Sequence, residues 1–193
     1  MTTDRTAPSV PASPSLEALI GRAERAGRGA PPVERWNPPF CGDIDMAIRA
    51  DGSWTYLGSP IGREALVRLF ASVLRKDEDG RTYLVTPVEK LGIRVEDAPF
   101  LAVEMSRDAG PEGPVLTFRT NVGDVVAADA AHPLRFVSQG AAGSFEPYLL
   151  VRGRLEAKLT RALAFDLADC VEEDGTGAFV RSSGARFSLG GEG

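Results

Sequence analysis

The sequence predicts an α+β protein made of two related lobes, each a small, mostly antiparallel sheet with one helix. Short alternating segments bounded by turn residues recur along the chain, and few segments carry a helical stripe. The order strand, Gly-Arg, helix, acidic turn, strand also occurs twice, around Gly62 and around Gly153. A repeat of this length indicates a duplicated lobe rather than a solenoid. The alternative is that this common order of elements arose twice without duplication.

Composition limits the classes of protein to which the chain can belong. Its 193 residues are 43% hydrophobic and 25% charged, which suits one large domain or two small packed lobes. A net charge of −5 argues against a nucleic-acid partner, which normally selects a basic surface. No segment reaches the ~18 consecutive apolar residues of a membrane-spanning helix, so no membrane partner is expected.

The rare residues narrow the chemistry further. Cys41 and Cys170 are the only cysteines, and His132 is the only histidine. These counts exclude a disulfide scaffold and a zinc site built from several histidines, and they favour a reducing compartment. The N-terminal residues contain no apolar core of a signal peptide, so we expect a cytoplasmic protein.

The chain divides into four predicted segments. Residues 1–15, rich in Pro, Ser and Thr, are predicted to form a disordered tail. Residues 16–35 are predicted to form an N-terminal helix followed by a proline-containing linker. The first lobe is assigned to residues 36–110 and the second lobe to residues 111–193.

In the first lobe, alternating apolar residues predict strands at residues 44–48, 83–85 and 93–95. Ser59 is predicted to cap a helix with Pro60 in its first turn, because serine and proline are typical of these two positions. An apolar stripe defines the buried face of this helix, and it consists of Ala65, Leu66, Leu69, Phe70, Val73 and Leu74. Two basic residues suit the negative end of the helix, namely Arg75 and Lys76.

In the second lobe, residues 106–114 are predicted to form a loop and residues 115–120 a strand. A second helix is predicted for residues 155–171, followed by an acidic turn at residues 172–175. Leucines four residues apart support this helix, and they are Leu155, Leu159, Leu163 and Leu167.

The block from residue 41 to residue 100, which begins CGDIDMAIRADGSWTYLGSP, resembles the uncharacterised bacterial domain-of-unknown-function family 1285. The resemblance covers most of the chain beyond Trp36 and is weaker after Pro114. It implies a duplicated core of two lobes, of which the second is loosely similar to a pleckstrin-homology domain. It also implies a nucleotide-like ligand between the lobes and a role in signal transduction, without an established enzymatic activity.

Two Gly-Arg motifs are the strongest candidates for ligand contacts. Ser59, Gly62 and Arg63 open the first predicted helix, and Arg152 and Arg154 open the second. Helix N-termini attract anions, and arginine binds phosphates and carboxylates in a bidentate manner. We therefore predict that both motifs contact one small anionic ligand between the lobes. The alternative is that each arginine pairs with a neighbouring surface acid or points to water.

Glu89 and Lys90 are further candidates because they follow a rigid Thr86-Pro87 bend, and bends of this kind suit ligand contacts. An exposed turn with a Glu-Lys pair is an equally good interpretation. No cofactor or metal ligand is predicted.

Two carboxylates on one strand face, Asp43 and Asp45, could hold Mg²⁺ or share a proton. Exposure to solvent is the better interpretation of this pair. Residues 77–80 begin like a calcium loop but lack its later ligands, so they are interpreted as a turn. A dyad of Cys41 and His132 would require the fold to bring them together.

The sequence therefore predicts a non-enzymatic binding or sensor module for a small anionic, nucleotide-like ligand, with no catalytic residues assigned. One alternative is an enzyme that uses Asp43, Asp45 and Glu89 as acid, base or metal ligands. A second alternative is a protein-interaction adaptor that displays edge strands.

Overall fold

The computed structural model describes residues 14–26, 31–139 and 144–190. Most of the predicted disordered tail lies outside the described residues, as does part of the predicted linker. Helix α1 (Leu16–Arg25) begins as predicted, and the Ser15 hydroxyl caps it by accepting a hydrogen bond from the Ala18 amide at 3.2 Å. A 3₁₀ turn (Val33–Arg35) follows before the first sheet.

The first lobe is a six-stranded sheet with strand order β3-β2-β1-β6-β5-β4. Its strands are β1 (Phe40–Ile48), β2 (Trp54–Tyr56), β3 (Ser59–Pro60), β4 (Leu74–Lys76), β5 (Thr82–Val85) and β6 (Lys90–Val95). Every neighbouring pair is antiparallel except the central pair of β1 and β6, which is parallel. Helix α2 (Glu64–Ser72) connects β3 to β4 and contacts α1.

The second lobe contains another six-stranded sheet, with strand order β10-β11-β12-β7-β8-β9. Its strands are β7 (Phe100–Gly110), β8 (Gly113–Thr120), β9 (Val125–Ala127), β10 (Leu134–Gln139), β11 (Ser144–Arg152) and β12 (Leu155–Leu159). The central pair of β7 and β12 is again parallel. After it come helix α3 and a three-stranded antiparallel sheet, formed by α3 (Arg161–Ala168), β13 (Val171–Asp174), β14 (Gly177–Ser182) and β15 (Ala185–Ser188).

The predicted duplication is confirmed, because the six strands of each main sheet follow the same spatial order. In both lobes the first and sixth strands lie together in the centre and run parallel. The predicted repeat unit is wrong, however. Gly62 lies between β3 and α2, whereas Gly153 lies in the hairpin that joins β11 to β12. The two Gly-Arg motifs therefore occupy different positions in the two copies.

The predicted helix at residues 155–171 is wrong in its first part. Residues 155–159 form β12, which pairs with β11 on one side and with β7 on the other. Helix α3 begins only after Thr160, whose hydroxyl accepts a hydrogen bond from the Leu163 amide at 3.4 Å. The cause is the alternation of buried Leu155, Ala157 and Leu159 with more exposed polar residues, which is the pattern of a strand.

The start of the first predicted helix is also corrected. Ser59 and Pro60 form β3 rather than a helix cap, because Leu57 and Gly58 turn the chain back from β2 with positive φ angles of 48° and 76°. Arg75 and Lys76 lie in β4 rather than at a helix end.

The predicted loop at residues 106–114 is mostly strand, since β7 and β8 pair as far as Gly110 and Gly113. The first lobe is predicted to end at residue 110, but all of β7 lies in the second sheet. The second sheet therefore begins at Phe100.

The buried apolar side chains of both lobes form one continuous hydrophobic core. Its largest fully buried members include Trp54, Phe70, Phe100 and Phe118. Trp54 of β2 and Phe70 of α2 stack with ring centroids 6.4 Å apart, so this contact fixes α2 on the first sheet. Among the described residues, no helix is long and apolar enough to cross a membrane.

Replacing Phe70 with alanine should lower the free energy of unfolding by about 3–5 kcal/mol, because it leaves a cavity beneath α2. Urea denaturation followed by circular dichroism measures this change. Phe165→Ala is the matched control, since 64% of Phe165 is exposed, and its effect should stay within ~0.5 kcal/mol. Equal losses in the two variants would contradict the assignment of Phe70 to the core.

Candidate functional site

The predicted arginine pair does not converge in the structure. Arg63 is exposed and precedes α2, and its side chain makes no capping hydrogen bond. Arg152 donates to the Ala71 carbonyl, near the opposite end of the nine-residue α2. A helix of this length separates the two positions by about 13 Å. Ser59 in β3 and Gly62 just before α2 are both exposed, and they lie at the same end of α2 as Arg63.

Arg152 joins the two lobes. Its guanidinium donates to the Asp124 carboxylate at 2.7 Å and to the Ala71 carbonyl at 2.6 Å, and it lies 4.9 Å from the centroid of the Phe100 ring. The last carbonyls of a helix lack intrahelical partners and carry partial negative charge. Arg152 therefore caps α2 of the first lobe from a strand of the second.

Arg154 also reaches across the lobes, but at the surface rather than at a helix opening. It donates to Glu78 at 2.9 Å, and the Glu78 side chain is 87% exposed. An exposed ion pair of this kind adds little stability. Between the two arginines, the Gly153 backbone approaches Glu34 so closely that a Cβ at this position would lie 2.5 Å from the Glu34 carboxylate oxygen.

Glu89 and Lys90 have structural partners rather than positions in a cleft between the lobes. Glu89 is buried and accepts a hydrogen bond from Arg22 of α1 at 2.7 Å. Lys90 donates to Asp77 at 2.9 Å and lies 4.5 Å from the centroid of the Tyr83 ring. Both residues therefore hold parts of the first lobe together.

The carboxylates assigned to the enzyme alternative each have a different partner and do not form one site. Asp43 pairs with Arg81, and Asp45 pairs with Arg94 at 3.2 Å, whereas Glu89 faces α1. Within the described ranges, no group of three or more His, Cys, Asp or Glu side chains is arranged to hold a metal ion.

The Cys41 and His132 dyad is not formed. The Cys41 thiol donates to the Pro39 carbonyl at 3.5 Å. His132 lies in the second lobe, where its Nδ1 is 3.1 Å from the Asp129 carboxylate.

A cavity of about 470 Å³ lies between the lobes, and we call it the interlobe groove. Trp36 lines it together with four cationic side chains, namely Arg35, Arg75 and Lys76 of the first lobe and Arg154 of the second. Four carboxylates line it as well, and they belong to Glu34, Asp77, Glu78 and Asp79. A smaller cavity of about 310 Å³ adjoins it at Glu34 and is lined by Arg152 and Gly153. Of the residues that line the larger cavity, only Arg154 was predicted from the sequence as a ligand contact.

Arg75 holds the wall of the interlobe groove in place. Its side chain is 10% exposed, and it donates to the carbonyls of Val33 at 2.9 Å and Trp36 at 2.6 Å. The same guanidinium binds both oxygens of Asp77, at 2.6 and 3.2 Å. The backbone of Trp36 is therefore fixed to β4 without any ligand.

The pKa of Asp77 reflects this arrangement. Burial raises the pKa of the carboxyl, but the hydrogen bonds from Arg75 and Lys90 outweigh burial and leave the pKa below its ordinary value of 3.8. Asp77 is therefore ionised at neutral pH and forms, with Arg75 and Lys90, a charged cluster at the wall of the groove.

A second charged network joins the chain between the lobes to the second sheet. Asp97 accepts hydrogen bonds from the Tyr148 hydroxyl at 2.8 Å and from the Lys158 ammonium at 2.7 Å. Burial, and to a lesser extent the hydrogen bond to Asp97, raises the pKa of Tyr148 to about 12. The Tyr148 phenol therefore stays protonated at neutral pH and acts as a hydrogen-bond donor rather than as a base.

Comparison with known proteins places this architecture in a structural family. Residues 31–98 match the domain of unknown function (DUF1285), N-terminal domain, and residues 99–189 match the corresponding C-terminal domain. The chain is similar to a DUF1285 family protein from Silicibacter pomeroyi DSS-3, with 46% identity over 89% of this chain and 93% of that chain, and a TM-score of 0.81. No curated protein matches the chain.

A second solved structure, a DUF1285 family protein from Shewanella baltica OS155, is 32% identical. The similarity covers 64% of this chain and 90% of that one, with a TM-score of 0.50. The matched domains divide at residues 98 and 99, just before β7 begins the second sheet.

Replacing Arg152 with methionine should lower the free energy of unfolding by about 1.5–3 kcal/mol, because Asp124 and the Ala71 carbonyl lose a charged donor. Arg154→Met is the matched control on the same hairpin, and its loss should stay below ~1 kcal/mol. Urea denaturation of both variants checks this prediction. An Arg152 variant as stable as the Arg154 variant would show that the cap on α2 contributes nothing.

Asp77→Asn should destabilise the protein at pH 7 and progressively less below pH 3.8. A carboxyl whose pKa is lower in the folded state stabilises that state above its unfolded pKa, and the contribution disappears as pH falls through the folded pKa. Unfolding free energies of wild type and variant at pH 7, 5 and 3 measure the difference. Exposed Asp166→Asn is the control, and a pH-independent difference for Asp77→Asn would refute the linkage.

Proposed function

The chain belongs to the DUF1285 family, and we propose that it is a non-enzymatic binding or sensor module for a small anionic, nucleotide-like ligand. The interlobe groove holds this ligand, and the module acts in signal transduction. One observation carries the proposal: Trp36 lies in a groove of ligand size together with four cationic side chains drawn from both lobes.

The cations of the groove that have no ion pair, or only an exposed one, favour an anionic group. No ion pair within the described part of the chain involves Arg35 or Lys76. Arg154 pairs only with exposed Glu78, which a phosphate could displace with little loss of stability. Arginine is also the residue best suited to bind phosphate in a bidentate manner.

The aromatic ring of Trp36 favours a ligand that carries a nucleotide base beside its anionic group. Trp36 is partly exposed within the groove, and its backbone is held by Arg75 before any ligand arrives. Stacking of a base on an aromatic ring contributes about 1–3 kcal/mol per base. The nearby carboxylates of Glu34 and Glu78 can accept hydrogen bonds from the amino or hydroxyl groups of a nucleoside.

A ligand in this groove would connect the two lobes, since Arg154 belongs to the second lobe and the other contacts to the first. A ligand that binds only the docked arrangement stabilises that arrangement by mass action. This coupling is what a sensor requires.

A cytoplasmic location is part of the proposal, and it is supported by the unpaired thiols of Cys41 and Cys170.

Adenosine 5′-diphosphate should quench the fluorescence of Trp36, because Trp54 is only 1% exposed and cannot contact the ligand. Arg154→Ala should weaken the binding of this probe by about 1.5–3 kcal/mol, the range for a hydrogen bond to a charged group. Trp36→Leu should weaken the binding of the nucleotide but leave the binding of inorganic pyrophosphate unchanged, as measured by calorimetric titration. Phosphate release should stay at background, as expected for a binding module.

Arg63→Ala is the matched control, because Arg63 is an exposed arginine at the far end of α2. It should retain wild-type affinity for both probes. Equal losses in the Arg63 and Arg154 variants would indicate nonspecific attraction by surface charge. Wild-type affinity in a combined Arg35, Lys76 and Arg154 variant would exclude the interlobe groove as the site.

A further inference from the structure

A larger cavity of about 610 Å³ lies on the second lobe and shares no lining residue with the interlobe groove. We call it the α3 groove, because α3 forms one wall and strands β11 and β12 form the other. Apolar side chains dominate its surface, and they are Phe145, Pro147, Leu159, Ala164, Phe165 and Ala168.

Helix α3 places one of these side chains in solvent. Leu163 and Leu167 are buried and attach the helix to the core, whereas Phe165 is 64% exposed at the groove. An exposed aromatic ring beside a concave apolar surface is typical of a ligand or partner site.

One of the two cations that line the α3 groove takes part in no ion pair within the described residues. Lys158 donates to Asp97 at 2.7 Å and to Glu146 at 2.6 Å, so its charge is offset. Arg161 is exposed, lies 5.7 Å from the centroid of the Phe165 ring and takes part in none of the ion pairs among the described residues. The groove thus combines an apolar floor with one available guanidinium.

We propose that the α3 groove binds a free carboxylic acid with a medium-length hydrocarbon chain. The chain lies on Phe145, Leu159 and Phe165, and the carboxylate pairs with Arg161. A cationic amphiphile would be repelled by Arg161, and a neutral one would gain only the apolar contact. The volume of the groove lies within the range of small-molecule sites, which favours a single free acid over a flat protein partner.

Isothermal titration with sodium decanoate, kept below the concentration at which it forms micelles, tests this proposal. Saturable binding with one site per chain is expected. Decyltrimethylammonium, which has the same chain length and the opposite charge, should bind at least tenfold more weakly. Equal affinity for the two probes would overturn the assignment of Arg161.

Arg161→Glu should weaken decanoate binding tenfold or more while the melting temperature is retained. A glutamate in the first turn of a helix interacts favourably with the helix dipole, so the variant keeps its fold. Arg63→Glu, at the start of α2, is the matched control and should bind decanoate as the wild type does. Unchanged binding in the Arg161 variant would overturn the proposal.

Filling the groove is an independent test. Ala164→Trp should abolish decanoate binding, because the indole occupies the space between α3 and β12, and circular dichroism checks that the variant is folded. Two other outcomes would refute the proposal, because each assigns the groove to another occupant. One is self-association through Phe165, detected by sedimentation velocity. The other is binding to anionic phospholipid vesicles without binding to decanoate. Arg154→Ala should leave decanoate binding unchanged, so the two sites are tested separately.

Discussion

The parallel pairing of the first and sixth strands is the constraint on which both lobes depend. Antiparallel neighbours can be joined by tight turns, whereas a parallel pair needs a long connection. In each lobe the four intervening strands supply that connection, with two strands added on either side of the central pair. The chain therefore enters and leaves each sheet at its centre, and the short segment containing Asp97 is enough to join β6 to β7.

This constraint explains why several residues with the chemistry of ligand contacts instead hold the fold together. The turn before the sixth strand lies beside the centre of each sheet, close to a helix. In the first lobe this turn carries Glu89, which binds Arg22 of α1, and in the second it follows Arg152, which caps α2. Charged groups that lie partly buried need such partners, because burial without them is strongly unfavourable. Their charged groups are therefore paired in contacts that attach the helices to the sheets.

The sequence predicted the fold class and the duplication because alternation and turn residues are local signals. It mistook β12 for helix because Leu155 and Leu159 satisfy both periodicities, and the pairing of Ala157 with distant Phe100 decides between them. It misplaced the start of α2 because the turn at Leu57 and Gly58 competes with a serine cap. The groove itself was unpredictable, since it depends on long-range contacts such as the hydrogen bond from Arg75 of β4 to the Trp36 carbonyl.

Arginine alone was therefore a poor guide to a binding site in this chain. Most described arginines form ion pairs, in keeping with a net charge of −5 that leaves acidic partners in excess. Arg63 lacks such a pair but lines none of the cavities described above. Arg35 and Arg161 lack one as well, and each lies in a concave surface beside an aromatic ring. A cation outside any ion pair, a cavity and an exposed ring together supply what an anionic ligand with an apolar part requires, and no one of them does so alone.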